Sequence, residues 1–186
     1  TIAQAIPIAI SPILTRIYTP EDFGVFALFI GVVGVISVIA TLTYEQAIIL
    51  PKYDKYAINI FMLSLILILF TSIFSFIIIF SFKEEILNLL NNDLLGNWLF
   101  FVPITVFFLA LFNLLTNYNN RIKEYKDIAK ATVIKSLVLS IIQVLIGFLK
   151  SGFAGLILGQ VLAQIFANFK LAKNILKNKI LLSSVS

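Results

Sequence analysis

The stretch Ala57–Phe80 reads AINIFMLSLILILFTSIFSFIIIF and carries no charged side chain from its first residue to its last. As an α-helix rising about 1.5 Å per residue, it is long enough to cross a hydrocarbon core of about 30 Å. A helix is also one of the few backbone structures that satisfy their own hydrogen bonds in lipid. The stretch therefore predicts a transmembrane helix and an all-α fold.

The rest of the chain has the same character. Of its 186 residues, 60% are hydrophobic and only 12% are charged, and the mean hydropathy is +1.05. A soluble domain is about half apolar and about a quarter charged. We predict a polytopic membrane helix bundle of about six transmembrane helices. Its apolar spans are expected at residues 1–15, 23–44, 57–80, 98–118, 132–149 and 153–171.

The first of these spans is too short to cross a bilayer as a straight helix. It also has neither the basic start nor the small-residue cleavage site of a signal peptide. We therefore expect the chain, residues 1–186, to be a fragment of a longer protein that is cut inside its first helix.

The positive charges predict how the bundle is oriented. All but three of the 14 Lys and Arg residues lie in the second and fourth connections, at Lys135 in the fifth span, or from Lys170 onward at the end of the last span and beyond it. The three exceptions are Arg16, Lys83 and Lys150. The positive-inside rule then places both ends of the chain in the cytoplasm. The basic residues form no continuous patch, so we do not expect a nucleic-acid partner.

Missing residue types exclude several kinds of site. The chain has no Cys and no His, which excludes disulfides, thiolate or imidazole metal sites, and Ser-His or Cys-His nucleophiles. It also has no glycine-rich phosphate loop and no acid-rich metal motif. We therefore predict no catalytic residue, no metal and no cofactor.

The connection Ser81–Asn97 supports two interpretations equally. Glu84 and Glu85 precede the apolar run Ile86-Leu87-Asn88-Leu89-Leu90, a pattern typical of a short amphipathic helix on the outer membrane surface. The same residues could instead extend the third helix.

Polar side chains recur at helical spacing inside several spans. In lipid such side chains face either a neighbouring helix or water. Each therefore either lines a hydrated cavity or forms an interhelical hydrogen bond that holds the bundle together. The candidate substrate-path residues from these spans are Asn113, Asn117, Gln143, Gln160, Gln164 and Asn168.

The sixth span also carries a stripe of small residues beside its amides. The stripe consists of Gly155, Gly159, Ala163 and Ala167. Small side chains let two helix backbones approach closely, so the stripe predicts a helix-packing face.

Two charged residues at the ends of spans complete the candidate set. Glu45 ends the second span, where it continues a stripe with Ser37 and Thr41, and Arg16 ends the first. An ionised group at membrane depth usually pairs or contacts water, although either residue could simply reach an interface. The predicted topology puts them on opposite sides. Arg16 is expected in an outward-facing cavity, where it could meet phosphate or a sugar acid.

Three connecting segments are the most specific motifs in the chain. They are TRIYTPEDFGVF at residues 15–26, YEQAIILPK at residues 44–52 and NRIKEY at residues 120–125. Together with their spacing, they resemble the turns of bacterial polysaccharide flippases of the O-antigen (Wzx) type. These flippases belong to the multidrug/oligosaccharidyl-lipid/polysaccharide exporter superfamily.

The resemblance implies a function and a larger architecture. Such proteins have twelve to fourteen helices in two lobes and move undecaprenyl-diphosphate-linked oligosaccharide across the bacterial inner membrane by alternating access. This chain would be the first lobe, and its partners would be the lipid-linked oligosaccharide, membrane lipids and the C-terminal lobe. It would not be an enzyme. The alternatives are a drug exporter of the same superfamily and a membrane-embedded glycan-modifying enzyme.

Overall fold

The computed structural model describes residues 2–41, 43–149 and 152–177, and it confirms the all-α helix bundle. Within that part of the chain there are seven α-helices and two 3₁₀ segments, and no strand. The helices are α1 (Ile2–Ile17), α2 (Pro20–Thr41), α3 (Asp54–Ser81), α4 (Lys83–Leu90), α5 (Phe101–Arg121), α6 (Tyr125–Phe148) and α7 (Ala154–Lys177). The 3₁₀ segments are Tyr44–Ile49 and Asp93–Phe100.

Five helical segments are long and apolar enough to cross a membrane, and α1 is an apolar helix of shorter length. The helices extend beyond several predicted spans: α6 begins at Tyr125 instead of residue 132, and α7 continues to Lys177. Polar and basic residues do not interrupt helical hydrogen bonding, so a helix can continue past its apolar part. Thr1, the predicted start of the first span, and the tail 178–186 lie outside the described residues.

Helix α5 lies at the centre of the bundle. It packs against α7, α3 and α2, while α7 packs closely on α6 and α6 on α1. Leu99, Val102, Val106 and Leu114 on and just before α5 are fully enclosed. By contrast, α2 and α3 leave many large apolar side chains exposed, as expected for helices that face lipid.

The turn between α1 and α2 explains the Thr-Pro-Glu-Asp motif at residues 19–22. The Thr19 hydroxyl accepts a hydrogen bond from the Asp22 backbone N–H at 3.2 Å. The Asp22 carboxylate in turn accepts from the Thr19 N–H and hydroxyl, both at 2.9 Å. This is a capping box, with Pro20 at the first helical position and acidic side chains at the positive end of the helix. The motif therefore starts α2 at a defined residue.

The two interpretations of Ser81–Asn97 are now resolved. Phe82 adopts φ −120° and ψ 28°, which breaks the path of α3, and α4 begins as a separate short helix at Lys83. It ends where Asn91 takes a left-handed conformation at φ 47° and the Asn92 N–H donates to the Leu87 carbonyl. Leu87 is buried, whereas Leu89 is exposed. The segment is thus an amphipathic helix and not an extension of α3.

The small residues of α6 and α7 form a slot for the side chain of Tyr18. A Cβ atom added at Gly147 would lie 2.6 Å from Ile17 Cγ2 and 2.9 Å from the Tyr18 hydroxyl. One added at Gly155 would overlap the same hydroxyl. That hydroxyl donates to the Gln143 carbonyl at 2.6 Å. The predicted packing role of the small-residue stripe is confirmed, because all four of its residues are buried.

Substituting Gly155→Ala tests this close approach. The new methyl group must displace the Tyr18 hydroxyl, so we expect a loss of about 1–3 kcal/mol of stability, typical of overpacking. The matched control is Gly34→Ala on α2, where an added Cβ meets nothing within 4 Å. The measurement is the midpoint of thermal unfolding in detergent. Equal midpoints for the two variants would contradict the proposed slot.

Tyr18 also predicts a pH dependence of stability. Burial, and after it the nearby Asp22 carboxylate, raise the pKa of Tyr18 from 10.0 to about 12. The folded protein therefore holds the phenolic proton more tightly than the unfolded chain, so this contribution to stability is complete below pH 10 and is lost as the pH rises towards 12. We expect Tyr18→Phe to lower stability at pH 8 and to flatten its decline between pH 10 and 12. An unchanged slope would contradict the prediction.

Candidate functional site

The predicted stripe of Ser37, Thr41 and Glu45 on one helix is wrong. Helix α2 ends at Thr41, Thr43 adopts a left-handed conformation at φ 60°, and Glu45 belongs to the 3₁₀ segment Tyr44–Ile49. A left-handed residue turns the chain away from the helix axis, so helical spacing no longer applies beyond it. The side chain of Thr41 lies outside the described residues.

Glu45 is nevertheless the most distinctive polar residue at this end of the bundle. Its side chain is only 7% exposed, and its Oε2 atom has no hydrogen-bond partner among the described residues. A buried carboxylate oxygen without a partner is costly and calls for an explanation by function or by bound solvent. Glu45 therefore qualifies as a candidate binding group.

The carboxylate lies against a polar cavity of about 570 Å³. The cavity is formed between the 3₁₀ segment and one face of α5. Its lining residues are Glu45, Gln46, Ile49, Leu50, Phe112, Asn113, Thr116 and Asn117. Glu45 is thus brought together with Asn113 and Asn117, two other predicted site residues that lie far from it in sequence.

The polar residues that line the cavity carry both hydrogen-bond acceptors and hydrogen-bond donors. The Thr116 hydroxyl is buried without a partner, as is one Glu45 oxygen. Asn117 Nδ2 donates to the Asn113 carbonyl at 3.1 Å, which leaves its side-chain oxygen to accept. Such a set can bind hydroxyl groups or a cation. Among the described residues there is no cluster of three or more His, Cys, Asp or Glu that could hold a metal ion.

Lys135 lies near the cavity, and sequence reasoning did not include it among the candidate site residues. Its ammonium group lies 4.6 Å from the centre of the Phe112 ring, and Phe112 also lines the cavity. Lys135 is partly buried on α6, and the described residues offer it no ion pair. Its position inside an apolar helix was a usable signal, because intramembrane charges are commonly functional.

The amides of α7 form a second group, between α5 and α7. Asn168 Nδ2 donates to the Phe108 carbonyl at 2.7 Å and to the Gln164 carbonyl at 2.9 Å, so Asn168 holds the two helices together. Gln164 is fully buried, and neither side-chain nitrogen nor oxygen has a partner among the described residues. Gln160 is half-buried.

Gln143 belongs to the contact between α6 and α7. Its side chain packs where a Cβ on Gly159 would lie, 2.6 Å from Gln143 Cγ. Arg16, by contrast, is exposed at the end of α1. Helix α2 separates Arg16 from Glu45, so the predicted residues form distinct groups and not one site.

Comparison with known proteins supplies a family. No curated protein and no solved structure matches the chain. A family model described as polysaccharide biosynthesis protein matches residues 13–177. That range includes all three connecting segments and runs from the end of α1 to the end of α7. The chain therefore belongs to the polysaccharide biosynthesis protein family.

Proposed function

We propose that this chain forms the first lobe of a flippase that moves undecaprenyl-diphosphate-linked oligosaccharide across the bacterial inner membrane, as in the synthesis of O-antigen or lipopolysaccharide. The observation that carries the proposal is the buried Glu45 carboxylate, which has one oxygen without a partner among the described residues and belongs to the lining of a polar cavity. The family match adds the connection to polysaccharide synthesis.

The chemistry of the cavity suits an oligosaccharide. Sugar hydroxyls both donate and accept hydrogen bonds, and the polar residues Glu45, Thr116 and Asn117 belong to the lining of the cavity where they would meet them. Lys135 supplies positive charge beside Phe112, where it would attract a phosphate group. These groups would hold a substrate only by hydrogen bonds and charge, so they could release it unchanged. That behaviour fits a transporter and not an enzyme.

Transport requires a second half. In transporters of two repeats the site lies between them, and one half rocks against the other. We therefore infer that a C-terminal lobe covers this cavity. From the positive-inside rule we also infer that both ends of the chain lie in the cytoplasm. Arg16, at the opposite end of α2, would meet the anionic part of the substrate on the outward side.

One observation favours a second candidate. A single buried carboxylate among neutral acceptors also suits an organic cation. The second candidate is therefore an exporter of cationic small molecules, and the same set of variants distinguishes it.

Glu45→Gln in the full-length protein tests the proposed function. The amide keeps the size of the side chain but removes its charge. We expect transport to fall about tenfold or more, because hydrogen bonds to charged groups contribute about 1.5–3 kcal/mol. The measurement is restoration of surface glycan in a strain that lacks its flippase, with protein levels matched.

Glu84→Gln is the control, since Glu84 is an exposed carboxylate on α4. Full restoration of glycan by Glu45→Gln would contradict the role of Glu45 in glycan transport. Loss of cationic drug efflux with normal surface glycan would favour the second candidate.

Gln164→Met tests whether the buried amide at the α5–α7 contact serves transport or the stability of the bundle. Methionine has a similar length and no polar atoms that need partners, so we expect the unfolding midpoint to rise, since each buried unpaired polar group costs about 1–3 kcal/mol. Under the proposed function, surface glycan should fall at the same time. Gln160→Met, at a half-buried position, should change stability less. A lower midpoint for Gln164→Met would show that the amide is satisfied by bound water.

A further inference from the structure

Arg121, the last residue of α5, makes three polar side-chain contacts with the chain that precedes α3 and with its first residue. Nη1 donates to the Pro51 carbonyl at 2.7 Å and to the Ile48 carbonyl at 3.1 Å. Nη2 forms an ion pair with Asp54 Oδ1 at 2.9 Å. The Arg121 side chain is 12% exposed, whereas that of Asp54 is 67% exposed. Most of its hold on neighbouring segments therefore comes from the two enclosed carbonyl contacts, because exposed ion pairs contribute little.

All three acceptors belong to one connection. Ile48 lies in the 3₁₀ segment Tyr44–Ile49, three residues after Glu45. Pro51 follows that segment, and Asp54 is the first residue of α3. A 3₁₀ helix has about three residues per turn, so the Ile48 carbonyl lies one turn from Glu45. Fixing this carbonyl against α5 limits where Glu45 can move.

A second contact joins the same elements. The rings of Phe61 on α3 and Tyr118 on α5 pack edge to face with centres 5.4 Å apart. Ile48 is fully buried in the same core. The helix end that carries Arg121 is therefore held by packing against α3 and the buried core. A side chain that positions another residue needs such a fixed attachment.

We propose that Arg121 is a positioning residue that holds the Tyr44–Ile49 segment against α5 and so keeps Glu45 buried over the polar cavity. Its importance for transport rests on the proposed function, but the positioning itself does not. A lysine cannot replace it, since a planar guanidinium makes several hydrogen bonds in fixed directions and an ammonium group acts as a point charge.

The neighbouring basic residues lack this role. Lys123 and Lys126 are exposed, and among the described residues neither has a side-chain hydrogen bond or ion pair. They carry charge at this end of the bundle just as Arg121 does. A role of Arg121 in membrane orientation alone would be satisfied by any of these cations, so the contacts distinguish Arg121 from its neighbours.

The test is the rate at which Glu45 is modified by a water-soluble carbodiimide and an amine nucleophile. It is carried out on the full-length protein in membrane vesicles and read by peptide mass spectrometry. For Arg121→Lys, which keeps the charge, we expect the rate at Glu45 to rise about tenfold, as loss of charged hydrogen bonds implies. Asp54→Asn should give a smaller rise, because both carbonyl contacts remain. Lys126→Ala is the control and should match the unsubstituted protein.

An unchanged rate at Glu45 in Arg121→Lys would overturn the proposal. Should Arg121→Lys not reach the membrane, Arg121→Met decides, because it removes all three polar contacts and keeps a long side chain; an unchanged rate there would overturn the proposal as well. The assay needs no transport. If Glu45→Gln left surface glycan unchanged, the proposed function would fail while the labelling result stood.

Discussion

The close approach of α6 and α7 is the contact on which most of the bundle depends. Lipid supplies no hydrophobic drive for helices to associate, so close packing and interhelical hydrogen bonds must supply it. Gly147, Gly155 and Gly159 provide the space, and Tyr18 occupies part of it with its hydroxyl bonded to the Gln143 carbonyl. Through Tyr18 the same contact also positions the turn from which α2 begins.

Two kinds of polar group inside this bundle differ in what they contact. Asn168 donates a hydrogen bond to the Phe108 carbonyl across the α5–α7 contact. This bond helps to hold the two helices together in lipid, where the hydrophobic effect does not. Glu45 and Thr116 instead keep unpartnered oxygens next to a cavity. The first kind accounts for cohesion. The second kind has no structural use in the described residues, which is why we assign the binding role to that end of the bundle.

Local chemistry explains which features were predictable. Apolar runs predicted the helices because backbone hydrogen bonding in lipid leaves few other structures. The small residues from Gly155 to Ala167 predicted a packing face because their size alone limits helix separation. Helical spacing failed at Glu45, since α2 ends at Thr41 and the left-handed Thr43 lies between that helix and Glu45. The presence of a Thr does not predict a left-handed backbone, because Thr residues in most proteins adopt other backbone conformations.

The sequence by itself determined the membrane class, the helices and, through three connecting segments, the family. These depend on composition and on short stretches of chain. Only the tertiary structure decided that Glu45, Phe112 and Asn113 line one cavity, that Lys135 lies over the Phe112 ring, and that Arg121 reaches back to the connection before α3. Contacts between residues so far apart in sequence depend on how each helix is rotated and shifted relative to its neighbours. That arrangement is set by side-chain packing across the whole bundle, which no local pattern contains.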